Sequence, residues 1–378
     1  MVHVTQQLLD QMVAPLRAAR QQIGLAVGVI EGSQRGVCVY GRLGQTRQEP
    51  VKGQTLFEIG SVTKVFTSVL LANVIQEGLL RLDDRLCDLL PEGTHLPPEI
   101  TLLQLATHTS GLPRLPPNFR QAMRQNPDNP YAAYTAADLR ACLATYQPQP
   151  QRHAASPQTV SYSNFGVGLL GYVLAHRLSM SYEEAITSRI CIPLGMWETC
   201  ITLTPAQQAR LALPYSPRGK PVLNWDIPTL AGAGALCSTA CDLLTFIAAN
   251  LDQPQSALAY AIHTCHVMRS ETPRSPKGIR GLITGWIKRR FGRTEPPLGV
   301  ALGWFLSRLG TSSYQAHWHN GATGGYRAFV GFVKESHTGV VILANRGLST
   351  YEVFRPALSV DEIGFKILKC LNGVTHSR

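Results

Sequence analysis

Strand-like segments stand at both ends of the chain, and the long region between them has a mainly helical pattern. Residues 25–30 and 36–40 predict a hairpin around a Gly-Ser turn, and residues 314–318, 327–334 and 339–345 predict three further strands. One antiparallel sheet that takes strands from both ends of the chain accounts for this order. We therefore expect an α+β fold of three layers, α/β/α, with terminal helices flanking the sheet and a helical domain inserted.

The change of pattern along the chain also predicts two structural units. Residues 1–81 together with 224–378 predict an α/β domain that contains the sheet, and residues 82–223 predict a mainly helical inserted domain. A site that uses both units is expected at their junction. Within the predicted strand 327–334, Gly331 predicts a β-bulge.

The balance of charge limits the classes of partner. The 378 residues carry a formal net charge of +11, and the apolar fraction of 44% excludes a disordered chain. Much of the positive excess lies in residues 269–293, with no zinc finger or RNP aromatic motif, so we expect no nucleic-acid partner. Residues 281–293 are apolar on one side and cationic at one end, which predicts a solvated insertion or, alternatively, a weak membrane-surface contact.

The number and spacing of the cysteines indicate the redox state of the compartment and whether a metal site is expected. The chain has nine, an odd number, scattered through apolar surroundings and without a CxxC pair. This predicts reduced, mostly buried thiols and no zinc site. The sequence also shows no apolar run of transmembrane length and no basic n-region followed by a signal-type apolar stretch. We therefore expect a cytoplasmic protein.

Two short motifs in the first half of the chain carry nucleophile and base chemistry. Ser61-Val-Thr-Lys64 stands where a loop enters a helix, so that the hydroxyl and the amine share one helix face. A Ser hydroxyl needs a base within hydrogen-bond reach, and a desolvated Lys helps to supply one. Tyr162-Ser-Asn164 follows about 100 residues later. A Tyr beside an ammonium group can act as a base, and Asn164 offers both a donor and an acceptor.

A third motif lies near the end of the chain, on or just after a predicted strand. It reads His319-Asn320-Gly321-Ala322 and is followed by Thr-Gly-Gly. A strand edge here can pair with a substrate backbone. The backbone N–H groups of Ser61 and Ala322 then predict an oxyanion hole.

The order of the three motifs, SxxK, YxN and HxG, within this arrangement of strands and helices resembles the active-site serine penicillin-recognising enzymes. It is similar to the branch of class C β-lactamases and D-alanyl-D-alanine carboxypeptidases, in which Tyr stands first in the second motif. Three further segments resemble that family: LATHTSGLP at 105–113, IPLGM at 192–196 and GAGALCST at 232–239. The resemblance extends over residues 20–346.

The resemblance implies a role for each matching residue. Ser61 is expected to be acylated, and Lys64 and Tyr162 to share the general-base and general-acid work. Asn164 is expected to position Lys64 and a substrate amide. The substrate-binding wall opposite these residues is expected to consist of His319, Asn320, Gly321 and Ala322. No metal or organic cofactor is required, because side chains and backbone fill every role. The expected partner is a small-molecule or peptide substrate.

One departure from the family pattern affects the choice of substrate. Where β-lactamases and many carboxypeptidases have KTG, this chain has His319-Asn-Gly, and His is largely neutral at pH 7. The chain also lacks a clear counterpart of the Gln that β-lactamases carry after the HTSGLP segment, for which Asn118 is the candidate. We therefore expect a peptidase- or esterase-like serine hydrolase or acyltransferase first. A true β-lactamase, a penicillin-binding-protein-type thioesterase or peptide cyclase, and a non-catalytic ligand-binding scaffold are the alternatives.

Overall fold

The computed structural model describes residues 6–19, 24–147, 159–252, 258–272, 297–347 and 359–374. These residues form one antiparallel sheet of eight strands with the spatial order β2-β1-β10-β9-β8-β7-β6-β5, and a separate two-stranded pair of β3 and β4. The strands are β1 Leu25–Glu31, β2 Gln34–Tyr40, β3 Phe57–Glu58, β4 Cys237–Ser238, β5 Ser270–Glu271, β6 Gly299–Val300, β7 Phe305–Arg308, β8 Gln315–Ala322, β9 Arg327–Val333 and β10 Thr338–Ala344.

The helices of the described residues fall between the strands and at both ends. They are α1 Gln6–Ala19, α2 Thr63–Gln76, α3 Leu86–Leu89, α4 Leu102–Ala106, α5 Phe119–Gln125, α6 Ala136–Ala144, α7 Asn164–Leu178, α8 Tyr182–Ile186, α9 Ile192–Leu194, α10 Pro205–Gln208, α11 Ala240–Asp252, α12 Leu258–Thr264 and α13 Val360–Leu371. None of these helices is long and apolar enough to cross a membrane.

The sheet is the middle layer of the predicted α/β/α arrangement. Helices α1 and α13 cover one face, and α2, α11 and α12 lie on the other side, where the larger apolar core forms. Strands β9 and β10 are buried at every position because helices cover both of their faces. This explains why FVGFV and GVVILA read as continuous apolar runs instead of alternating ones. The predicted fold class is confirmed.

Strands from both ends of the sequence meet in the centre of this sheet. Strand β1 pairs antiparallel with β10, so that Leu25 faces Ala344 and Glu31 faces Thr338. Between β2 and β5 in the sequence, most of the chain is helix and loop. The division into two units at residues 81 and 223 stays a prediction.

Two details of the predicted strands are corrected by the structure. Gly331 forms no bulge, because β9 runs in unbroken register past it, with Trp318 on one side and Val340 on the other. A Cβ at Gly331 would lie 3.2 Å from the side chain of Leu368, so this glycine lets α13 approach the sheet. In addition, β8 continues beyond Trp318 to Ala322, and the whole third motif therefore lies on a strand.

The cysteines are all free thiols, as predicted from their number and spacing. Burial is less general than expected, because only four of the nine side chains are buried and Cys241 is exposed. The basic segment 281–293, for which an insertion or a membrane contact was predicted, lies outside the described residues.

Candidate active site

The loop before α2 places Ser61 at the floor of a cleft. Strand β3 ends at Glu58, and a 3-10 turn at Gly60–Val62 then leads directly into α2. Gly60 has a φ of +50°, a conformation that favours glycine, and a Cβ there would lie 2.8 Å from the backbone nitrogen of Ala322. The glycine before the nucleophile therefore allows the Ser61 loop and the end of β8 to touch.

Lys64 points from the first turn of α2 back to Ser61. Its Nζ donates to Oγ of Ser61 at 3.0 Å and to the carbonyl oxygen of Ala233 at 2.5 Å. The side chain is only 1% exposed, so these contacts replace water around the amine. The sequence predicted the pair of Ser61 and Lys64, but it did not identify the acceptor at Ala233, since a backbone carbonyl has no signature of its own.

The short pair β3–β4 brings the Ala233 carbonyl to Lys64. Phe57 faces Ser238 in this pair, and the N–H of Ile59 donates to the carbonyl of Leu236 at 3.0 Å. The Gly-rich segment that precedes β4 forms a 3-10 turn at Ala231–Ala233 beside α2 and α7. The segment 232–239 therefore fixes the position of the Lys64 amine.

Tyr162 lies two residues before α7, with its half-buried ring against Lys64. The Nζ of Lys64 is 5.0 Å from the ring centroid, and Cζ of Arg114 is 5.3 Å from it. The ring of His108 packs against the same ring at 4.4 Å, and its Nδ1 accepts the N–H of Ser163 at 3.2 Å. Sequence reasoning missed Arg114, although it directly follows the HTSGLP segment.

Asn164 does not hold Lys64, contrary to the role that was expected of it. Its Nδ2 donates to the hydroxyl of Tyr131 at 2.9 Å, and its Oδ1 is buried and has no hydrogen-bond partner among the described residues. Lys64 reaches Ala233 instead, because the turn at 231–233 lies against α2. The Oδ1 of Asn164 is therefore an acceptor at the cleft, and Tyr131 is a second residue that the sequence analysis missed.

The end of β8 forms one edge of the cleft. Strand β7 pairs with β8 only from Gln315 to Trp318, and no other strand of the described residues pairs with 319–322 on that side. The N–H of Thr323 donates to the carbonyl of Tyr326, and antiparallel alternation then turns the N–H of Ala322 away from β9. Ala322 and Ser61 both line the cleft. The oxyanion hole expected from their N–H groups stays a prediction.

Gly321 is required by close packing between β8 and the Ser61 loop. A Cβ at this position would lie 1.9 Å from the carbonyl oxygen of Ile59 and 3.1 Å from the nitrogen of Ser61. No side chain fits in that space. The glycine of the third motif therefore holds the strand edge against the nucleophile.

His319 is buried below the cleft and does not line it. Successive residues of β8 face opposite sides of the sheet, and His319 faces the side of α2. Only 1% of the His319 surface is exposed. Its Nδ1 lies 2.6 Å from the carbonyl oxygen of Asn320. A carbonyl only accepts, so Nδ1 carries the proton and Nε2 of the neutral ring is an acceptor. Burial, assisted by the Lys64 ammonium, lowers the pKa of His319 to about 3.

Asn320 points to the opposite face of the sheet, toward α13. Its Nδ2 donates to Oδ2 of Asp361 at 2.7 Å, and Arg327 lies 3.5 Å from the same oxygen. Arg327 and Asp361 are both buried, at 4% and 1% exposure. Asn320 and Arg327 still line the cleft, so the wall expected from the third motif consists of Asn320, Gly321 and Ala322.

The cleft has a volume of about 360 Å³. One wall is largely apolar, and no Asp or Glu among the described residues lines the cleft. Asn118, the proposed counterpart of the family Gln, does not line it, because its amide binds the carbonyl of Asp138 and the hydroxyl of Tyr134. The apolar wall and its aromatic rim consist of Leu115, Phe119, Met123, Pro127, Pro130, Tyr131 and Trp225.

Comparison with known proteins gives one consistent result. Residues 9–362 match the sequence profile of the family described as Beta-lactamase. A β-lactamase of Pseudomonas fluorescens is 27% identical over 94% of this chain and 97% of its own length. The D-alanyl-D-alanine-carboxypeptidase/endopeptidase AmpH of Escherichia coli K12 is 30% identical over 59% of this chain and 56% of its own length.

Solved structures agree with the fold. A class C β-lactamase from Rhodobacter sphaeroides has a TM-score of 0.74 at 24% identity, covering 95% of this chain and 99% of its own. The D-alanine carboxypeptidase AmpC from Burkholderia cenocepacia has a TM-score of 0.73 at 25% identity, covering 97% and 98%. The family resemblance seen in the three motifs is confirmed. The chain belongs to the Beta-lactamase family and is a serine hydrolase of that family.

Proposed function

We propose that this chain acts on an ester or amide as a peptidase- or esterase-like enzyme, through an acyl-enzyme on Ser61. The observation that carries the proposal is the 3.0 Å contact between Nζ of Lys64 and Oγ of Ser61 at the floor of the cleft. A serine attacks a carbonyl carbon only where a neighbouring group takes its proton. Lys64 and the adjacent Tyr162 are the groups placed to do so.

The reaction then proceeds in two steps. Oγ of Ser61 attacks the carbonyl carbon while its proton passes to the Lys64–Tyr162 pair, and the N–H groups of Ser61 and Ala322 bind the developing oxyanion. The pair returns the proton to the departing amine or alcohol, which leaves the acyl group on Ser61. Water, an amine or an alcohol attacks this acyl-enzyme in turn and gives up its proton to the same pair.

The third motif supports the choice of a peptidase- or esterase-like substrate. A lysine at position 319 would offer a permanent positive charge to a substrate carboxylate. His319 is neutral near pH 7, because burial lowers its pKa to about 3, and its side chain lies below the cleft. The cationic side chain with which the wider family holds a substrate carboxylate is therefore missing at this position. Substrates that need that clamp are bound more weakly here.

A true β-lactamase is the second function that we weigh. It is favoured by the names of the relatives from Pseudomonas fluorescens and from Escherichia coli K12, which are 27% and 29% identical to this chain. An acyl-enzyme on Ser61 is common to both functions. The difference lies in whether a β-lactam reaches Ser61 efficiently and leaves it quickly.

Intact-protein mass spectrometry with three probes tests the proposal. The purified chain is exposed to a fluorophosphonate, a penicillin and a short-chain 4-nitrophenyl ester. Ser61→Ala serves as the test variant and Ser33→Ala, in the exposed hairpin turn, as the matched control. We expect a fluorophosphonate adduct and ester turnover that Ser61→Ala abolishes and Ser33→Ala retains.

The three outcomes separate the functions. Ser61-dependent ester turnover with slow penicillin loss supports a peptidase- or esterase-like enzyme. Fast penicillin loss without a lasting adduct, together with poor ester turnover, replaces it by the β-lactamase. An adduct that persists in Ser61→Ala, or the absence of any adduct in the wild type, overturns the mechanism.

We also propose that the protein works in a reducing compartment. All nine cysteines are free, and burial raises the pKa of Cys191 and Cys200 to about 12, which keeps these two thiols protonated. Intact mass measured after extraction under thiol-blocking conditions tests this. Nine alkylated cysteines are expected, and a disulfide-linked species contradicts the proposal.

A further inference from the structure

The cleft carries positive charge on its walls and floor. Arg114 and Arg327 line it, and Lys64 lies at its floor beside Ser61. No carboxylate of the described residues lines the same space. A concave site lined by charges of one sign concentrates ligands of the opposite sign. The cleft therefore attracts anionic substrates, although its third motif is uncharged.

The charge of Arg327 is balanced by a buried carboxylate. The guanidinium of Arg327 lies 3.5 Å from the carboxylate of Asp361, and both groups are buried. Asp361 also accepts a hydrogen bond from Asn320 at 2.7 Å. A buried carboxylate at this distance neutralises most of the field that Arg327 would exert in the cleft. The wall at the third motif therefore offers little net charge to an anion.

Arg114 stands on another part of the wall, next to Leu115. Its backbone carbonyl accepts the N–H groups of Asn164 and Phe165 at 2.9 and 3.1 Å, which ties this residue to the first turn of α7. Its guanidinium lies over the ring of Tyr162, 5.3 Å from the centroid, and Lys64 contacts the same ring. The position of the Arg114 charge is thus fixed relative to Ser61.

We propose that Arg114 is a specificity-determining residue that binds a carboxylate of the substrate, so that the enzyme prefers anionic esters or amides. This inference rests on the proposed function. The planar guanidinium matches a carboxylate with two parallel hydrogen bonds, which an ammonium group cannot reproduce. The apolar wall beside it accepts the hydrocarbon chain that joins the carboxylate to the scissile carbonyl. The substrate carboxylate is then bound by the segment that follows HTSGLP and not by the third motif.

Three esters of equal chain length test this inference. They are 4-nitrophenyl hexanoate, the mono-4-nitrophenyl ester of adipic acid and 4-nitrophenyl 6-aminohexanoate, which are neutral, anionic and cationic. The measured quantity is the ratio of kcat/KM between the anionic and the neutral ester. Any effect of a substitution on the chemistry of Ser61 is common to both esters and cancels in that ratio.

The variants are Arg114→Gln, Arg114→Lys and Arg120→Gln. Arg120 is exposed on α5 and does not line the cleft, so its substitution removes the same net charge elsewhere. We expect the wild type to favour the anionic ester by about ten-fold or more, which is the effect of about 1.4 kcal/mol. Arg114→Gln is expected to abolish the preference, Arg114→Lys to restore part of it, and Arg120→Gln to keep it. Added salt is expected to reduce it.

Each result has one interpretation. If all three esters are hydrolysed with dependence on Ser61 but the ratio in Arg114→Gln equals that of the wild type, the role of Arg114 is wrong and the proposed function stands. An equal fall of the ratio in Arg120→Gln also refutes the inference, because it assigns the effect to net charge. If no ester is hydrolysed in a Ser61-dependent manner, the proposed function itself fails.

Discussion

Substitution of Gly321 by alanine tests whether the contact between β8 and the Ser61 loop builds the oxyanion hole. The new Cβ would lie 1.9 Å from the carbonyl oxygen of Ile59, whereas real Cβ contacts closer than 3.0 Å are essentially never found. The strand edge and the loop must therefore separate by about 1 Å. Ile59 is held on its other side by the hydrogen bond to Leu236, so β8 is the element expected to move.

This displacement acts on the nitrogen atoms of Ser61 and Ala322. A shift of 1 Å in a catalytic group costs ~10²-fold in rate, and loss of one oxyanion donor costs ~10² to 10³-fold in kcat. We therefore expect Gly321→Ala to lower kcat by two to three orders of magnitude, about 3 to 4 kcal/mol of transition-state stabilisation. Overpacking is expected to reduce the free energy of unfolding by about 1 to 3 kcal/mol.

The assay is Ser61-dependent hydrolysis of a 4-nitrophenyl ester, with the folded fraction measured by circular dichroism and urea unfolding. Gly36→Ala is the matched control, because Gly36 lies in β2 with no atom within 4 Å of its Cβ position. This control should keep wild-type kinetics. If folded Gly321→Ala retains kcat within about three-fold of the wild type, the strand edge does not supply the oxyanion donor and the reasoning is refuted.

Three further predictions concern stability and substrate binding. Burial lowers the pKa of His317 to about 4 and of His266 to about 2. The unfolded chain therefore binds protons first as the pH falls below about 6.5, and the free energy of unfolding should fall by up to about 1.4 kcal/mol per pH unit for each histidine. Urea midpoints between pH 7 and pH 4.5 measure this slope, and His317→Gln should make it shallower. Tyr131→Phe removes the acceptor of Asn164 Nδ2 and should raise KM for an amide about five-fold, since a hydrogen bond contributes about 1 kcal/mol; an unchanged KM would show that Asn164 is positioned by other contacts. Thr101→Ala removes the capping box of α4 and should reduce the free energy of unfolding by about 1 kcal/mol without changing kcat, and a loss of activity at full stability would contradict a purely structural cap.

The layers of the fold were predictable because the spacing of apolar residues and their position along the chain indicate where strands and helices lie. Apolar runs at residues 25–30, 327–334 and 339–345 became β1, β9 and β10. The short strands β5, β6 and β7 at one end of the sheet were not predicted. Strands of two to four residues contain too few positions for a periodic signal, and their pairing depends on the rest of the sheet.

The site was predictable only where residue type decides the chemistry. Ser61, Lys64 and Tyr162 lie together as their motifs indicated. The acceptor at Ala233 and the partner of Asn164 were not predictable, because each depends on a contact between segments far apart in the sequence. A backbone carbonyl and a tyrosine hydroxyl belong to no motif that spacing alone can reveal.

The alternation of β8 explains why one short motif performs several tasks. His319 and Gly321 face α2, whereas Asn320 faces α13, because neighbouring residues of a strand point to opposite sides. Gly321 sets the distance to the nucleophile, and Asn320 joins the strand to Asp361. His319 fills the space next to Lys64, and that ammonium helps to keep its ring uncharged.

The neutral His319 leaves the positive charge at the floor of the cleft with Lys64. A second cation at this buried position would repel the Lys64 ammonium where little water is available to screen it. The field at Ser61 and over the ring of Tyr162 therefore comes from Lys64 and Arg114 rather than from the third motif. Because histidine stands where the family pattern has lysine, the residue that binds an anion differs from the residue whose charge assists acylation. The first task then falls to a residue on the wall of the cleft, and the second stays with Lys64.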